Sequence, residues 1–482
     1  MLVRCDKNNN DINPEGDQYE INWTAAADSS SRSLVASFWN MSRNYFNTDN
    51  ATNTTFQYWP NGHALDILVD AYSRTNDNFY RTYIDQWHDG VKAGNRNTFY
   101  NDYYDDMEWN ALAMLRAYKV TNDERYKEAA LQVWEWIKEG WNSQAGGGIA
   151  WSVGTGFSKN ACSNGPACIL AARLYREFGD ESNKEWATKI YNWEKTTLLN
   201  ATTGAVYDNI NAMTGEIQKD WIFTYNQGTF IGSAVELYKI FGERAYLNDA
   251  VLAADYTIST LVTNTILKSE GTGDGGLFKG IFIRYFTELI QQDRLEAADK
   301  KRYLQFLRYN AETLWTSGTV KPAVLFGPYW GTKPGNPVGL TEQMSGCMLI
   351  EAMALLQNNN ILLAQVPLSK VYIYSLVEKK PEFPGGEQAY LEFIAKNLRY
   401  PIEELQRRIP GEVHCSFIIE IDGSVSNVQV IKSANRNMDR EAIRILKTLP
   451  KFVPGEDDGQ PVRVRYQTRI RFHHMGIIRT KP

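Results

Sequence analysis

Two adjacent carboxylates are the strongest chemical feature of the chain. They are Asp105 and Asp106, within Phe99-Tyr100-Asn101-Asp102-Tyr103-Tyr104-Asp105-Asp106-Met107-Glu108-Trp109-Asn110. They fall where a loop becomes a helix whose apolar residues recur at Trp109, Leu112 and Leu115. A single aspartate there reads as a helix cap, because negative charge is favoured at a helix N-terminus. Two in a row exceed what a cap needs, and Tyr103, Tyr104 and Trp109 put ring faces beside them. Hydrolysis of a glycosidic bond needs such a pair of carboxyl groups, about 5 Å apart when configuration is retained. Neighbouring side chains in a regular helix diverge by about 100°. At a loop-to-helix junction the first can bend back, so that both flank one bond.

Composition leaves little competing chemistry. The 482 residues include five Cys and five His, with no CxxC and no zinc-ligand spacing. Three of the histidines lie near the C-terminus, so a Ser-His-Asp triad in the larger part is not expected. No cofactor and no metal is implied. The 14 Trp and 27 Tyr exceed what a core needs and suit stacking on sugar rings. A net charge of −5 argues against a nucleic-acid binder. No run of about 18 apolar residues predicts a membrane helix.

The carboxylates must be positioned by helices. Asp106 to Gly140, Asn160 to Leu199, Asn226 to Val262 and Phe278 to Trp315 each read as a helix pair with a short polar turn. Thr341 to Gln357 adds one helix, and Ser33 to Tyr72 reads as an opening pair. Repeats of roughly 45 to 65 residues mean a solenoid or a closed ring. About six pairs with long Gly-rich linkers point to a mainly α fold, an (α/α)6 toroid with a cleft built from linkers on one face.

Beyond Asn358 the pattern changes. From Val371 to Pro482 there are 18 Lys and Arg against 14 Asp and Glu, so this part carries +4 and the remainder −9. Val413 to Ile421, Val425 to Ile431 and Val462 to Phe472 alternate like strands, and Met438 to Leu449 is amphipathic. That order predicts a small α+β domain. The division reads as 1–29, polar tether; 30–357, toroid; 358–377, linker; 378–474, α+β domain; 475–482, tail.

Tyr104-Asp105-Asp106 with Trp109, Thr224-Tyr225-Asn226-Gln227-Gly228 and Leu277-Phe278-Lys279-Gly280-Ile281-Phe282 together resemble glycoside hydrolase family 76. Tyr58-Trp59-Pro60-Asn61-Gly62-His63 and Lys159-Asn160-Ala161 add to the match. The resemblance implies an (α/α)6 endo-α-1,6-mannanase acting on α-mannan, with Asp105 as nucleophile and Asp106 as acid/base. Tyr103, Tyr104, Trp109, Trp151, Asn160, Tyr225, Asn226, Gln227, Phe278 and Lys279 are the expected sugar-binding residues. For each aromatic, core packing is the competing reading.

Pro384-Gly385-Gly386, Tyr400-Pro401, Gly411-Glu412-Val413, Asp422-Gly423-Ser424-Val425 and Phe452-Val453-Pro454-Gly455 resemble the TonB C-terminal domain. Such domains grip an extended segment of outer-membrane transporters by strand addition. The last strand is the expected edge, with Val462, Val464, Tyr466, Thr468 and Ile470 facing the partner. Its alternating arginines read equally as protection against aggregation. A binding-only toroid docked to a transporter, and an (α/α)6 hydrolase of another linkage, are the alternatives to a mannanase.

Met1 to Asp11 resembles the end of a bacterial lipoprotein signal, with Cys5 as the lipidated residue, and reads equally as an ordinary leader. Together with the TonB-like part this places the chain in a Gram-negative envelope, in the periplasm or at the outer-membrane surface. Cys162 and Cys168 read as a disulfide or as two buried thiols.

Overall fold

A computed structural model describes residues 21–362, 371–374, 377–457 and 459–472 of the chain. The leader around Cys5 and the 475–482 tail lie outside the described residues.

Twelve helices build the larger part. They are α1 (Trp23–Phe38), α2 (Tyr58–Thr75), α3 (Asn78–Gly94), α4 (Tyr104–Thr121), α5 (Glu124–Lys138) and α6 (Ala161–Phe178). They continue as α7 (Glu181–Thr197), α8 (Thr224–Phe241), α9 (Arg244–Thr260), α10 (Asp274–Ile290), α11 (Ala297–Thr313) and α12 (Leu340–Asn358). The even-numbered helices form a closed inner ring, each packed on the next and α12 packed on α2. The odd-numbered helices lie outside, and α1 packs on α12, so the two ends of the toroid sequence close the ring. Five hairpins and this terminal pair make the (α/α)6 toroid. Two expectations therefore change. The first helix begins at Trp23, inside the stretch read as tether. The second is that α2 pairs with α3, not with α1.

Burial patterns separate the two layers. The outer helix α3 buries Tyr80, Ile84, Trp87, His88 and Val91, one stripe at helical spacing. The inner helix α8 is buried continuously from Asn226 to Tyr238. Inner helices approach closely where side chains are small. A Cβ on Gly228 of α8 would lie 2.6 Å from Phe282 Cα of α10, so only glycine fits there.

Three of the five hairpin turns share one chemistry. Asn76, Asn122 and Gly179 adopt left-handed backbone after α2, α4 and α6. The next residue is an aspartate each time, and Asp77, Asp123 and Asp180 accept the N–H two residues on as N-caps of the outer helices. The inner helices differ: none has a side-chain hydrogen bond from its N-cap residue. Their N-termini all face the same end of the ring, and linkers arch over that end.

A second repeated device holds those linkers. The fourth residue of four inner helices is an amide that clamps the linker preceding its own helix. Asn61 pairs with the Phe46 backbone, Asn164 with Ile149, Gln227 with Val206, and Gln343 with Val324 and Phe326. Two of the linkers supply a small sheet of β1 (Ser158–Asn160), β2 (Asn209–Asn211) and β3 (Glu216–Ile217) beside the cleft.

The opposite end of the ring is closed by charge. Arg116 from α4 and Arg284 from α10 converge on Asp66 and Asp70 of α2. Arg173 joins Glu236 and Glu288, and Arg74 joins Glu351.

The C-terminal part is a separate α+β unit with its own core of Phe383, Tyr390, Phe417, Ile445 and Ile470, among others. It contains β4 (Val371–Ile373), α13 (Gly386–Asn397), α14 (Ile402–Arg407), β5 (Gly411–Ile419), β6 (Val425–Lys432), α15 (Arg436–Leu446), β7 (Gly455–Asp457) and β8 (Gln460–Phe472). The sheet order is β6-β5-β8-β7, with β4 parallel to β8. The expected edge needs correction here. β5 pairs with β8 from Val464 to Phe472. On the other side β7 covers Gln460 to Val462 and β4 covers Arg463 to Arg465. Val462 and Val464 are therefore interior. Among the described residues, the second edge of β8 is open only from Tyr466 to Phe472. Thr468 and Ile470 are buried, and Tyr390 donates to Thr468 Oγ1 at 3.0 Å. Their side chains serve the core, and only their backbone can meet a partner.

Candidate active site

A cleft of about 660 Å³ lies over the N-termini of the inner helices. Trp59 reaches it from α2, Asp105, Asp106 and Trp109 from α4, Cys162 from α6, Tyr225 from α8, and Asp274 and Phe278 from α10. Linkers add Tyr103, Trp151, Ser158, Asn160, Asp208, Asn209, Trp221 and Phe223.

Both carboxylates lie in the first turn of α4, but their partners differ. Asp105 Oδ2 accepts from Trp151 Nε1 at 3.2 Å and from the Cys162 thiol at 3.3 Å. Asp105 Oδ1 accepts from the Asp106 N–H at 3.1 Å. Asp106 has no donor to its carboxyl among the described residues. Burial raises both groups above the usual carboxylate range. For Asp105 the three donors oppose the rise. For Asp106 the Asp105 and Asp274 carboxylates add to it. Asp105 therefore ionises first, and Asp106 keeps its proton. Pairs with separated protonation states are what acid/base and nucleophilic roles require.

The aromatic walls are tied in place. Tyr225 and Phe278 stack with centroids 3.9 Å apart and planes at 11°. Trp59 Nε1 donates to Asp274 Oδ1 at 3.2 Å. His63 sits beneath, 4.8 Å from the Trp109 ring and 5.6 Å from Trp59. Burial pulls its imidazole down to about 3, so it is a neutral packing ring.

Six of the ten expected sugar-binding residues line the cleft: Tyr103, Trp109, Trp151, Asn160, Tyr225 and Phe278. The other four do not. Tyr104 is buried, with its ring against Gly140. Gln227 is one of the linker-clamping amides. Asn226 is fully buried and donates to Asp208 Oδ1 at 2.9 Å, so it orients that carboxylate from behind. Lys279 is buried, donates to the Pro328 carbonyl at 2.7 Å, and is pulled down to about 8 by that burial. Asp208, Asp274, Trp221 and Phe223 went unrecognised among the site residues. Only the glycines around Asp274 marked a special loop.

Behind the pair, Glu108 and Glu194 are buried, and none of their four carboxyl oxygens has a hydrogen-bond partner among the described residues. Burial raises both well above the usual range, so they are neutral acids. A raised folded pKa gives stability that is present below the unfolded value of about 4.3 and lost as pH rises. Glu194→Gln removes that loss. Its unfolding free energy is expected to gain on the wild type steadily from pH 5 to pH 8, by at most about 1.4 kcal/mol per pH unit, read as a growing difference in melting temperature. A gap that stays constant with pH would show that Glu194 is not held neutral.

Toroid and cleft together define a glycoside hydrolase of (α/α)6 architecture with an adjacent aspartate pair. Residues 22–365 match the profile of glycosyl hydrolase family 76, and the chain belongs to that family. Residues 396–474 match the C-terminal domain of Gram-negative bacterial TonB protein. The α-1,6-mannanase GH76A of Salegentibacter sp. HEL1_6 has 45% identity and a TM-score of 0.68, over 70% of this chain and all of that one. A variant of that mannanase made inactive at two consecutive aspartates, solved with α-1,6-mannotriose, matches at 44% identity and TM-score 0.68 over the same shares. A mannan endo-1,6-α-mannosidase of Saccharomyces cerevisiae is 28% identical over 210 residues, 39% of this chain and 46% of the yeast protein. The chain thus spans less than half the length of that yeast relative.

Proposed function

We propose that the protein is a retaining endo-α-1,6-mannanase that hydrolyses the α-mannan backbone. Asp105 attacks the anomeric carbon to form a mannosyl-enzyme, and Asp106 protonates the departing oxygen and then deprotonates the incoming water. The observation that carries this reading is the unequal partnering of the two carboxyls: three donors on Asp105, none on Asp106. The inactive Salegentibacter variant supports it, because Asp105-Asp106 is the single Asp-Asp dipeptide within residues 22–365. Trp59, Trp109, Trp151, Tyr225 and Phe278 supply ring faces for the mannose units, and Asn160 and Asp208 supply polar contacts to hydroxyls.

For the C-terminal unit we propose peptide docking by strand addition along the backbone of Tyr466 to Phe472. The TonB match supports an extended segment of an outer-membrane protein as partner and a Gram-negative envelope as location.

One assay tests the hydrolytic reading and whether hydrolysis depends on the C-terminal unit. The full chain and a chain ending at residue 362 are incubated with linear α-1,6-mannan. New reducing ends at equal rates, with the α-anomer formed first by NMR, are expected from both. A β-anomer first would overturn retention. Binding without new reducing ends would favour the glycan-capturing reading, and an inactive short chain would show that the C-terminal unit is needed for hydrolysis.

A further inference from the structure

Among the described residues, the groups that act most strongly on Asp105 include no cation. Asp106 and Glu108 face it from its own helix, the Cys162 thiol from α6 and the Tyr225 hydroxyl from α8. Asp208 stands beyond the thiol and Asp274 beyond Asp106. None of these groups is positive. Besides the N-terminus of α4, the carboxylate is stabilised by three hydrogen bonds, and one of the three comes from sulfur.

That sulfur is placed with care. Cys162 is the second residue of α6, 3% exposed, and lines the cleft. Its partner in sequence, Cys168, turns into the core and donates to the Ala187 carbonyl at 3.3 Å. Both thiols are free, so no disulfide competes for Cys162. Burial raises the Cys162 thiol well above its usual range, with the Asp105 and Asp208 charges adding to it, so it stays an S–H donor. The Tyr225 hydroxyl lies against the sulfur, and that ring is pinned by its stack on Phe278.

A thiol is a weak donor. A hydroxyl in its place would make a short charge-assisted bond to the carboxylate, roughly twice as strong as a neutral one. Such a bond stabilises the anion and lowers its reactivity toward carbon. We propose that Cys162, together with Trp151, is a positioning residue that clamps Asp105 Oδ2, and that a thiol rather than a hydroxyl keeps the carboxylate reactive. The proposal rests on the reading of Asp105 as nucleophile.

The test is the pH profile of kcat/KM on an aryl α-mannoside for Cys162→Ala and Cys162→Ser, with Asp105→Ala as reference. Losing the donor in Cys162→Ala is expected to move the acid limb up by about half a pH unit, the size of one neutral hydrogen bond. Cys162→Ser is expected to move it down by about as much, with kcat reduced several-fold and KM unchanged. Acid limbs that coincide with the wild type in both variants would overturn the inference, even where melting temperature falls, because a packing role lowers stability without moving the limb. Activity in Asp105→Ala would instead overturn the nucleophile reading itself.

Discussion

Asp105→Ala is expected to lose all turnover of mannan and of aryl mannosides alike, whereas Asp106→Ala should lose mannan hydrolysis and keep glycosylation by activated aryl mannosides. The difference follows from what each carboxyl supplies. Without Asp105 no mannosyl-enzyme forms, and leaving-group activation does not help. Without Asp106 the alkoxide of a mannan chain departs unprotonated, at a cost of about 10²- to 10⁴-fold. A dinitrophenolate needs no proton, so its first step survives. Water then attacks slowly because no base activates it. Azide needs no base and should restore turnover in Asp106→Ala, giving the α-mannosyl azide. The pH profile gives an independent check. Burial holds Asp105 above the usual carboxylate range, so the acid limb of the wild type should lie above that range. Asp106 is raised further, by burial and then by Asp105, so it stays protonated and sets the basic limb. That limb should vanish in Asp106→Ala. Wild-type rates on mannan in either variant would reduce the pair to a helix cap.

Much of this was legible in the sequence because the toroid repeats its local chemistry. Each left-handed residue followed by a capping aspartate marks a hairpin, and Asn122-Asp123 and Gly179-Asp180 fall inside the pairs Asp106 to Gly140 and Asn160 to Leu199. Asn76-Asp77 is the same signal. It goes unused where Ser33 to Tyr72 reads as a complete pair, which leaves α3 without a role. The pairing of α1 with α12 could not be read locally, since ring closure joins residues more than 300 positions apart.

The site was half legible for the same reason. Asp105 and Asp106 sit on a helix whose start is visible in the sequence. Asp208 and Trp221 arrive on linkers, and nothing in their neighbours marks where a linker bends. Gln227 was misread because an amide in a motif serves a sugar or a backbone equally well. Only the set of Asn61, Asn164, Gln227 and Gln343, each at the fourth position of its helix, identifies the structural use. The edge of β8 was misplaced because β4 comes from the stretch read as linker.

Arg284→Met is expected to destabilise the toroid by about 3–5 kcal/mol at pH 7 while leaving the kcat of folded enzyme unchanged. Arg284 bonds to Asp70 at 2.8 Å and approaches Asp66 at 3.6 Å. Its side chain is mostly buried, as is that of Asp66. Methionine fills similar volume, so the loss is electrostatic rather than a cavity. Burial pushes Asp66 upward, but Arg284 and Arg116 outweigh it and hold the carboxyl below the usual range. A lowered folded pKa gives stability that is present above the unfolded value of about 3.9 and lost as pH falls through the folded one. In Arg284→Met only Arg116 remains, and burial then raises Asp66. The deficit should therefore be largest at pH 7 and shrink toward pH 5, where the carboxyl takes up a proton instead of standing unpaired. Denaturant midpoints read in the helical signal at both pH values check this. Equal deficits would mean that Arg284 acts through packing alone. The cleft lies at the other end of the inner helices, so a fall in kcat at temperatures where the variant stays folded would show instead that the two ends of the ring are mechanically coupled.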